Sequence, residues 1–76
     1  MSEFNEPSRP RGTVVKMGIL SGTAGDGIGG ELWVGGDGTL YRVKTYFCDH
    51  EDFRAWSRLP SDYFQRYPDA LASLKR

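Results

Sequence analysis

The stretch ELWVGGDGTLYRVKTYF, residues 31–47, decides the fold, because two apolar runs flank a glycine-rich tetrapeptide. Alternation of apolar and polar residues on both sides predicts two strands joined by a tight turn. A type I′ turn centred on Asp37 and Gly38 suits this sequence, since both central positions need positive φ and Asp-Gly adopts it readily. The stretch therefore predicts an antiparallel hairpin.

The position of the turn fixes which residues of the hairpin lie opposite each other. With Asp37 and Gly38 at its centre, one face carries apolar pairs, Leu32 with Val43 and Val34 with Tyr41. The other face carries a tryptophan–arginine pair and an ion pair, Trp33 with Arg42 and Glu31 with Lys44. A shift of one residue would mix the two sets, so the sequence favours this register.

The residues before the hairpin predict one more strand and an arm. GTVVKMGIL, residues 12–20, alternates imperfectly and indicates a strand, and GTVV is similar to the opening of SH3-like barrels. The glycine-rich residues 21–30 then form a connecting loop. Residues 1–11 contain Pro7, Pro10 and several charges, which is typical of a flexible N-terminal arm.

After Phe47 the apolar spacing changes to about three residues, which predicts helices. Asp49 is the expected N-cap of a first helix through Leu59, and Pro60 ends it. A second helix follows from Ser61, and Pro68 either kinks it or begins another. We therefore expect one α+β domain over residues 12–76. Its three-stranded antiparallel sheet, in one arrangement an SH3- or OB-like partial barrel, packs on two C-terminal helices.

The motifs of the chain argue against catalysis and bound cofactors. GDGIGG, residues 25–30, resembles the G-x-G-x-x-G fingerprint of dinucleotide-binding turns, but that fingerprint needs a helix next and strand-like ELWV follows. A structural zinc site needs four ligands, whereas the chain has one cysteine and one histidine, Cys48 and His50. No triad, phosphate-loop or metalloprotease spacing occurs, so we expect a non-enzyme with no cofactor and no metal.

Composition sets the expected environment. Ten basic residues balance ten acidic ones, so net charge gives no argument for a nucleic-acid binder. The single cysteine gives no internal disulfide, and neither a membrane span nor a secretory signal is evident. We expect a cytoplasmic protein without membrane contact.

The aromatic residues carry the functional expectation, since the C-terminal half contains more rings than one helix face can bury. We expect a small non-catalytic protein-binding module, an adaptor or a steric inhibitor of a larger partner, of the kind common in phages and mobile elements. Its expected partner-binding residues are Trp33, Arg42, Lys44, Tyr46, Trp56, Tyr63 and Tyr67. The alternative is a nucleic-acid-binding small β-barrel that presents Trp33, Arg42, Lys44 and Tyr46 together. A homo-oligomer formed through an exposed strand edge is a third hypothesis.

Overall fold

The structure is a computed structural model that describes residues 6–48 and 51–75 of the 76-residue chain. These residues form four strands and two short helices: β1 (Val14–Leu20), β2 (Gly30–Gly35), β3 (Leu40–Cys48), β4 (Glu51–Arg58), α1 (Tyr63–Arg66) and α2 (Pro68–Ala72). The strands make one antiparallel sheet in the order β1-β2-β3-β4. The α+β class is confirmed, and the sheet has four strands where three were expected.

The fourth strand replaces the first predicted helix, which is wrong from Glu51 onward. β4 pairs with β3 through eight residue pairs, from Tyr41 with Arg58 to Cys48 with Glu51. Residues two apart on a strand share a face, so Phe53 and Trp56 point to opposite faces. A long neighbouring strand overrides the helical spacing of a few apolar residues, because strand preference depends on the available pairing. The expected N-cap Asp49 lies outside the described residues.

The predicted hairpin is confirmed, but its predicted register is wrong by one residue. The loop has three residues, because the Gly35 N–H donates to the Thr39 carbonyl at 2.8 Å and the Gly38 N–H to the Gly35 carbonyl at 3.0 Å. Of the two glycines in this loop, Gly38 takes a positive φ, +89°, as in a turn followed by a left-handed residue. The observed pairs are Leu32 with Arg42, Trp33 with Tyr41 and Glu31 with Val43.

One face of the sheet, here called the helix face, packs on α1 and α2. Its buried core contains Leu20, Leu32, Leu59, Tyr63 and Ala70, and five partly buried side chains extend it: Met17, Leu40, Phe64, Tyr67 and Leu74. Pro68 is the first residue of α2. An N–H at the first position of a helix has no partner within the helix, so proline, which has no N–H, fits there at no cost. The opposite face, here called the arm face, carries Trp33, Tyr41, Val43 and Trp56.

Residues 21–29, here called the glycine loop, lie against the helical layer. Ala24 is buried, and the Gly25 N–H donates to the Asp69 carboxylate of α2 at 3.3 Å. Gly25 has a φ of +61°, and a Cβ there would lie 2.7 Å from the Tyr63 hydroxyl. The glycine therefore permits a close approach of loop and helix.

Candidate interaction surfaces

The structure separates the residues that the nucleic-acid hypothesis brings together. Trp33 pairs with Tyr41 on the arm face, whereas Arg42 pairs with Leu32 on the helix face. Lys44 and Tyr46 follow Arg42 along β3 by two and four residues, so they lie on the same face as Arg42. The one-residue difference in register is the physical reason, since it moves every side chain of one strand across the sheet.

Arg42 is buried and holds the glycine loop. Its exposed fraction is 7%, and its Nη2 donates to the Asp26 carboxylate and to the Tyr63 hydroxyl, the latter at 3.4 Å. Burial raises the pKa of Asp26, but hydrogen bonds from Arg42 and from the Ile28 N–H outweigh burial and leave that pKa below its ordinary value. The carboxylate is thus ionised at neutral pH, and Arg42 acts as a structural cation.

The arm face gathers three aromatic rings. The ring centroids of Trp33 and Trp56 lie 5.1 Å apart with the planes tilted by 57°. Tyr41 meets Trp56 edge-on, with the centroids 6.0 Å apart. Such tilted pairs bring a positive ring edge toward a negative ring face and stabilise each other beyond their buried area.

Residues 6–9 of the predicted arm form a turn against these rings. The Arg9 N–H donates to the Glu6 carbonyl at 3.2 Å, with Pro7 at the second position of the turn. The Ser8 hydroxyl accepts the Trp56 backbone N–H at 2.9 Å, and the Glu6 carboxylate accepts the Trp56 indole N–H at 2.9 Å. The Arg9 guanidinium lies 5.0 Å from the Trp56 ring centroid and 5.7 Å from that of Trp33. Flexibility of the arm stays a prediction.

An ion pair borders the aromatic rings. Arg54 donates to the Glu31 carboxylate at 2.7 and 3.3 Å, and Glu31 also accepts the Trp33 indole N–H at 2.9 Å. The hydrogen bonds from Arg54 hold the pKa of Glu31 below its ordinary value, although burial opposes them. The same carboxylate raises the pKa of Arg54. Both groups are therefore charged across the neutral range, and they fix the orientation of the Trp33 ring.

Two predicted partner-binding residues belong to the helical layer. Tyr63 is 1% exposed, and its ring packs on Phe64 and Tyr67 with centroid distances of 5.7 and 5.1 Å. Tyr67 is half-buried beside the same core. The Tyr63 ring therefore has almost no surface left for a partner.

The end of the β3–β4 hairpin projects beyond β2. β2 pairs with β3 no further than Val43, whereas residues 45–48 continue to pair with residues 51–54. We call these two short segments the ribbon. Tyr46 and Phe53 lie directly opposite each other on it and share the helix-face side.

The ribbon exposes much of its aromatic surface. Tyr46 is 46% exposed and Phe47 is 69% exposed, while Phe53 is half-buried. On the same side as Tyr46, the Lys44 ammonium donates to the Ile28 carbonyl at 3.3 Å and brings the half-exposed Ile28 of the glycine loop close. Sequence reasoning missed Ile28 and Phe53 as surface residues. For Phe53 the reason is that the sequence predicts a helix there. The β-branched and aromatic residues near residue 46 were the available signal for a longer strand and a partner strand beside it.

Comparison of the chain with protein-family models, with curated proteins and with solved structures found no match. Among residues 6–48 and 51–75, no group of three or more His, Cys, Asp or Glu side chains is placed to hold a metal ion. Neither helix in this part of the chain is long and apolar enough to cross a bilayer.

Proposed function

We propose that this protein is a small non-catalytic protein-binding module, acting as an adaptor or a steric inhibitor, and that it binds its partner through the ribbon. The observation that carries the proposal is the 46% exposure of Tyr46, which lies opposite Phe53 on a two-stranded projection. An isolated two-stranded ribbon is marginally stable in water, and exposed aromatic rings gain stability when a partner covers them.

The side of the ribbon that bears Tyr46 is the proposed binding surface, together with the neighbouring part of the glycine loop. Tyr46, Phe53 and Ile28 provide apolar contact, and the Lys44 stem lies between the ribbon and the glycine loop. A standard partner covers about 800 Å² on each protein. That is roughly a sixth of the 5117 Å² accessible surface of this chain, so the footprint extends from the ribbon onto the loop.

The state of the acidic groups supports a non-catalytic role. A general acid or base that works near neutrality needs a carboxyl pKa raised toward 7. The pKa values of Asp26, Glu31 and Asp37 are lowered instead, by hydrogen bonds from Arg42, Arg54 and Thr39 that favour the ionised form. These carboxylates therefore serve structure in this fold.

The proposal is tested by placing a photo-crosslinking phenylalanine analogue at position 46 of the full chain. The labelled chain is irradiated in lysate of its source organism, with and without nuclease, and the adduct is identified by mass spectrometry. We expect one stoichiometric protein adduct that survives nuclease. The purified partner is then titrated calorimetrically against Tyr46→Ala, which we expect to weaken binding at least tenfold.

Leu71→Ala supplies the matched control, because Leu71 is 52% exposed and belongs to α2, outside the ribbon. It should bind like the unmodified chain. Equal weakening by both substitutions, or crosslinking at position 71 but not at 46, contradicts the ribbon as the binding surface. An adduct that disappears on nuclease treatment contradicts the protein-binding role and favours the nucleic-acid alternative.

A further inference from the structure

The arm face places one guanidinium over a pair of tryptophan rings. Arg9 lies within 6 Å of both ring centroids, at 5.0 Å from Trp56 and 5.7 Å from Trp33. That distance is the range in which a cation is attracted to the negative face of an indole ring. Both indole N–H groups donate to carboxylates, Trp33 to Glu31 and Trp56 to Glu6. These hydrogen bonds fix the orientation of each indole ring at its N–H edge, and they leave the ring faces on which Arg9 lies free of hydrogen-bonded groups.

The guanidinium that occupies this surface is partly open to solvent. The Arg9 side chain is 43% exposed, and its ion pair with Glu6, at 3.2 Å, lies within one turn of the chain. Exposed ion pairs of this kind contribute little stability. The turn itself contacts β4 at two residues: Trp56 donates to Ser8 and Glu6, and the Arg54 Nε lies 3.8 Å from the Glu6 carboxylate.

A planar guanidinium suits this surface better than an ammonium group does. It stacks on aromatic rings and loses less hydration than an ammonium when it leaves water. The turn also supplies a carboxylate, since Glu6 accepts both the Trp56 indole N–H and an N–H of Arg9. A glutamate three residues before an arginine, in a turn, thus accepts the indole N–H and at the same time positions the guanidinium over the rings.

We propose that the Trp33–Trp56 surface is an arginine-recognition site, which residues 6–9 of the chain occupy in cis and which a Glu-x-x-Arg turn of a protein partner occupies in trans. This site lies on the opposite face of the sheet from Tyr46 and is independent of binding through the ribbon. The cis segment competes at an effective concentration on the order of millimolar, so a partner binds tightly only when the arm is released.

The test uses the full chain with Arg9→Ala and a capped peptide of sequence EPSRPRG, corresponding to residues 6–12. The two indole N–H resonances of the ¹⁵N-labelled protein report on the site directly, because the chain has two tryptophans. We expect saturable shifts of both resonances and at least tenfold tighter binding to Arg9→Ala than to the unmodified chain. A peptide with neutral citrulline in place of the first arginine should bind at least tenfold more weakly.

Matched variants separate this site from other effects. Arg66→Ala removes an exposed arginine of α1 that is paired with Asp62. This variant should bind the peptide like the unmodified chain. Arg9→Gln opens the site with a longer side chain if the alanine variant does not fold. The double variant Tyr46→Ala with Arg9→Ala should bind the peptide as tightly as the single variant Arg9→Ala does. This result is expected whether or not the ribbon binds a partner, so the two proposals can fail separately.

Three results would overturn the inference. The first is equal binding of the arginine and citrulline peptides. The second is peptide binding that Arg9→Ala does not strengthen, or that shifts ribbon resonances while both indole signals stay in place. The third is a dimer of the unmodified chain in sedimentation analysis that Arg9→Ala dissociates, since the arm would then be exchanged between copies and not held in cis.

Discussion

Gly25 lies where the glycine loop meets both helices, and the size of one side chain decides whether they fit. A Cβ at this position would be 2.7 Å from the Tyr63 hydroxyl and 3.1 Å from the Ala70 Cβ. Asp26, the next residue, is bonded to buried Arg42, which also reaches Tyr63. The loop, the sheet and α1 are therefore joined by neighbouring residues whose positions depend on one another.

Gly25→Ala is expected to destabilise the fold by about 2 kcal/mol, since it adds a steric clash to the strain of a positive φ at a residue with a side chain. The measurement is the midpoint of urea unfolding followed by circular dichroism. Gly22→Ala is the control in the same loop, because nothing lies within 4 Å of its Cβ position and its φ is outside the left-handed region. A Gly25→Ala midpoint equal to that of Gly22→Ala contradicts the close packing of loop and helix.

At the scale of elements, one residue after α2 pairs with the edge of the sheet. Ile19 of β1 exchanges two backbone hydrogen bonds with Lys75, at 2.6 and 3.1 Å, so Lys75 lies against the outer edge of β1. Gly18 permits this approach, because a Cβ there would be 2.5 Å from the Lys75 carbonyl oxygen and 2.9 Å from the Leu74 side chain. The pairing covers one end of an edge strand that would otherwise offer unpaired N–H and carbonyl groups.

Gly18→Ala is therefore expected to detach residues 73–75 from β1 while the sheet persists. Amide hydrogen exchange should become at least tenfold faster at Ile19 and Lys75, whose N–H groups donate across the bridge. Exchange at Val43, in the middle of the sheet, should change little. Gly36→Ala serves as the control, because its Cβ on the β2–β3 loop would come no closer than 4.0 Å to a neighbouring atom, the Thr13 carbonyl oxygen. Unchanged protection of Ile19 in the Gly18 variant would show that this bridge does not need the glycine.

At the scale of the molecule, each face of the sheet carries a partly buried arginine–carboxylate pair. Asp26 with Arg42 secures the helix face, and Glu31 with Arg54 secures the arm face. Both carboxyl pKa values are lowered in the fold from ordinary values of 3.8 and 4.5. A lowered pKa means that folding favours the ionised form, so each pair contributes stability above the ordinary pKa and loses it as pH falls through the folded one.

We therefore expect the free energy of unfolding to be nearly constant near neutral pH and to fall between about pH 5 and pH 2. Urea midpoints measured across that range test the expectation. Glu31→Gln and Asp26→Asn should each lower stability at neutral pH and make the acid decline shallower, because each removes one carboxyl group whose pKa the fold lowers. Parallel profiles for all three proteins would mean that these pairs do not set the acid response.

Sequence reasoning determined the elements whose signals are local. The hairpin around residues 36–38 follows from glycine chemistry between alternating strands. At Pro68 the sequence leaves a kinked helix and a new helix as alternatives, and the structure has a helix that begins there. Sequence reasoning also determined the α+β class and the first strand. It failed at β4, because the spacing of Phe53, Trp56 and Leu59 fits one face of a helix and not one face of a strand. Only the pairing with β3, which local spacing does not reveal, makes this segment a strand.

The sequence by itself determined that this chain has a glycine-linked antiparallel sheet with rings enough for both a core and a surface. Tertiary structure decided which rings serve which purpose. A single extra residue in the β2–β3 loop sends Trp33 to the arm face and Arg42 into the helix face. The fold then buries Tyr63, leaves Tyr46 exposed and seats Arg9 on two tryptophans. The physical reason is that side chains alternate across a sheet, so their surroundings follow from register, which local sequence signals specify only to within a residue.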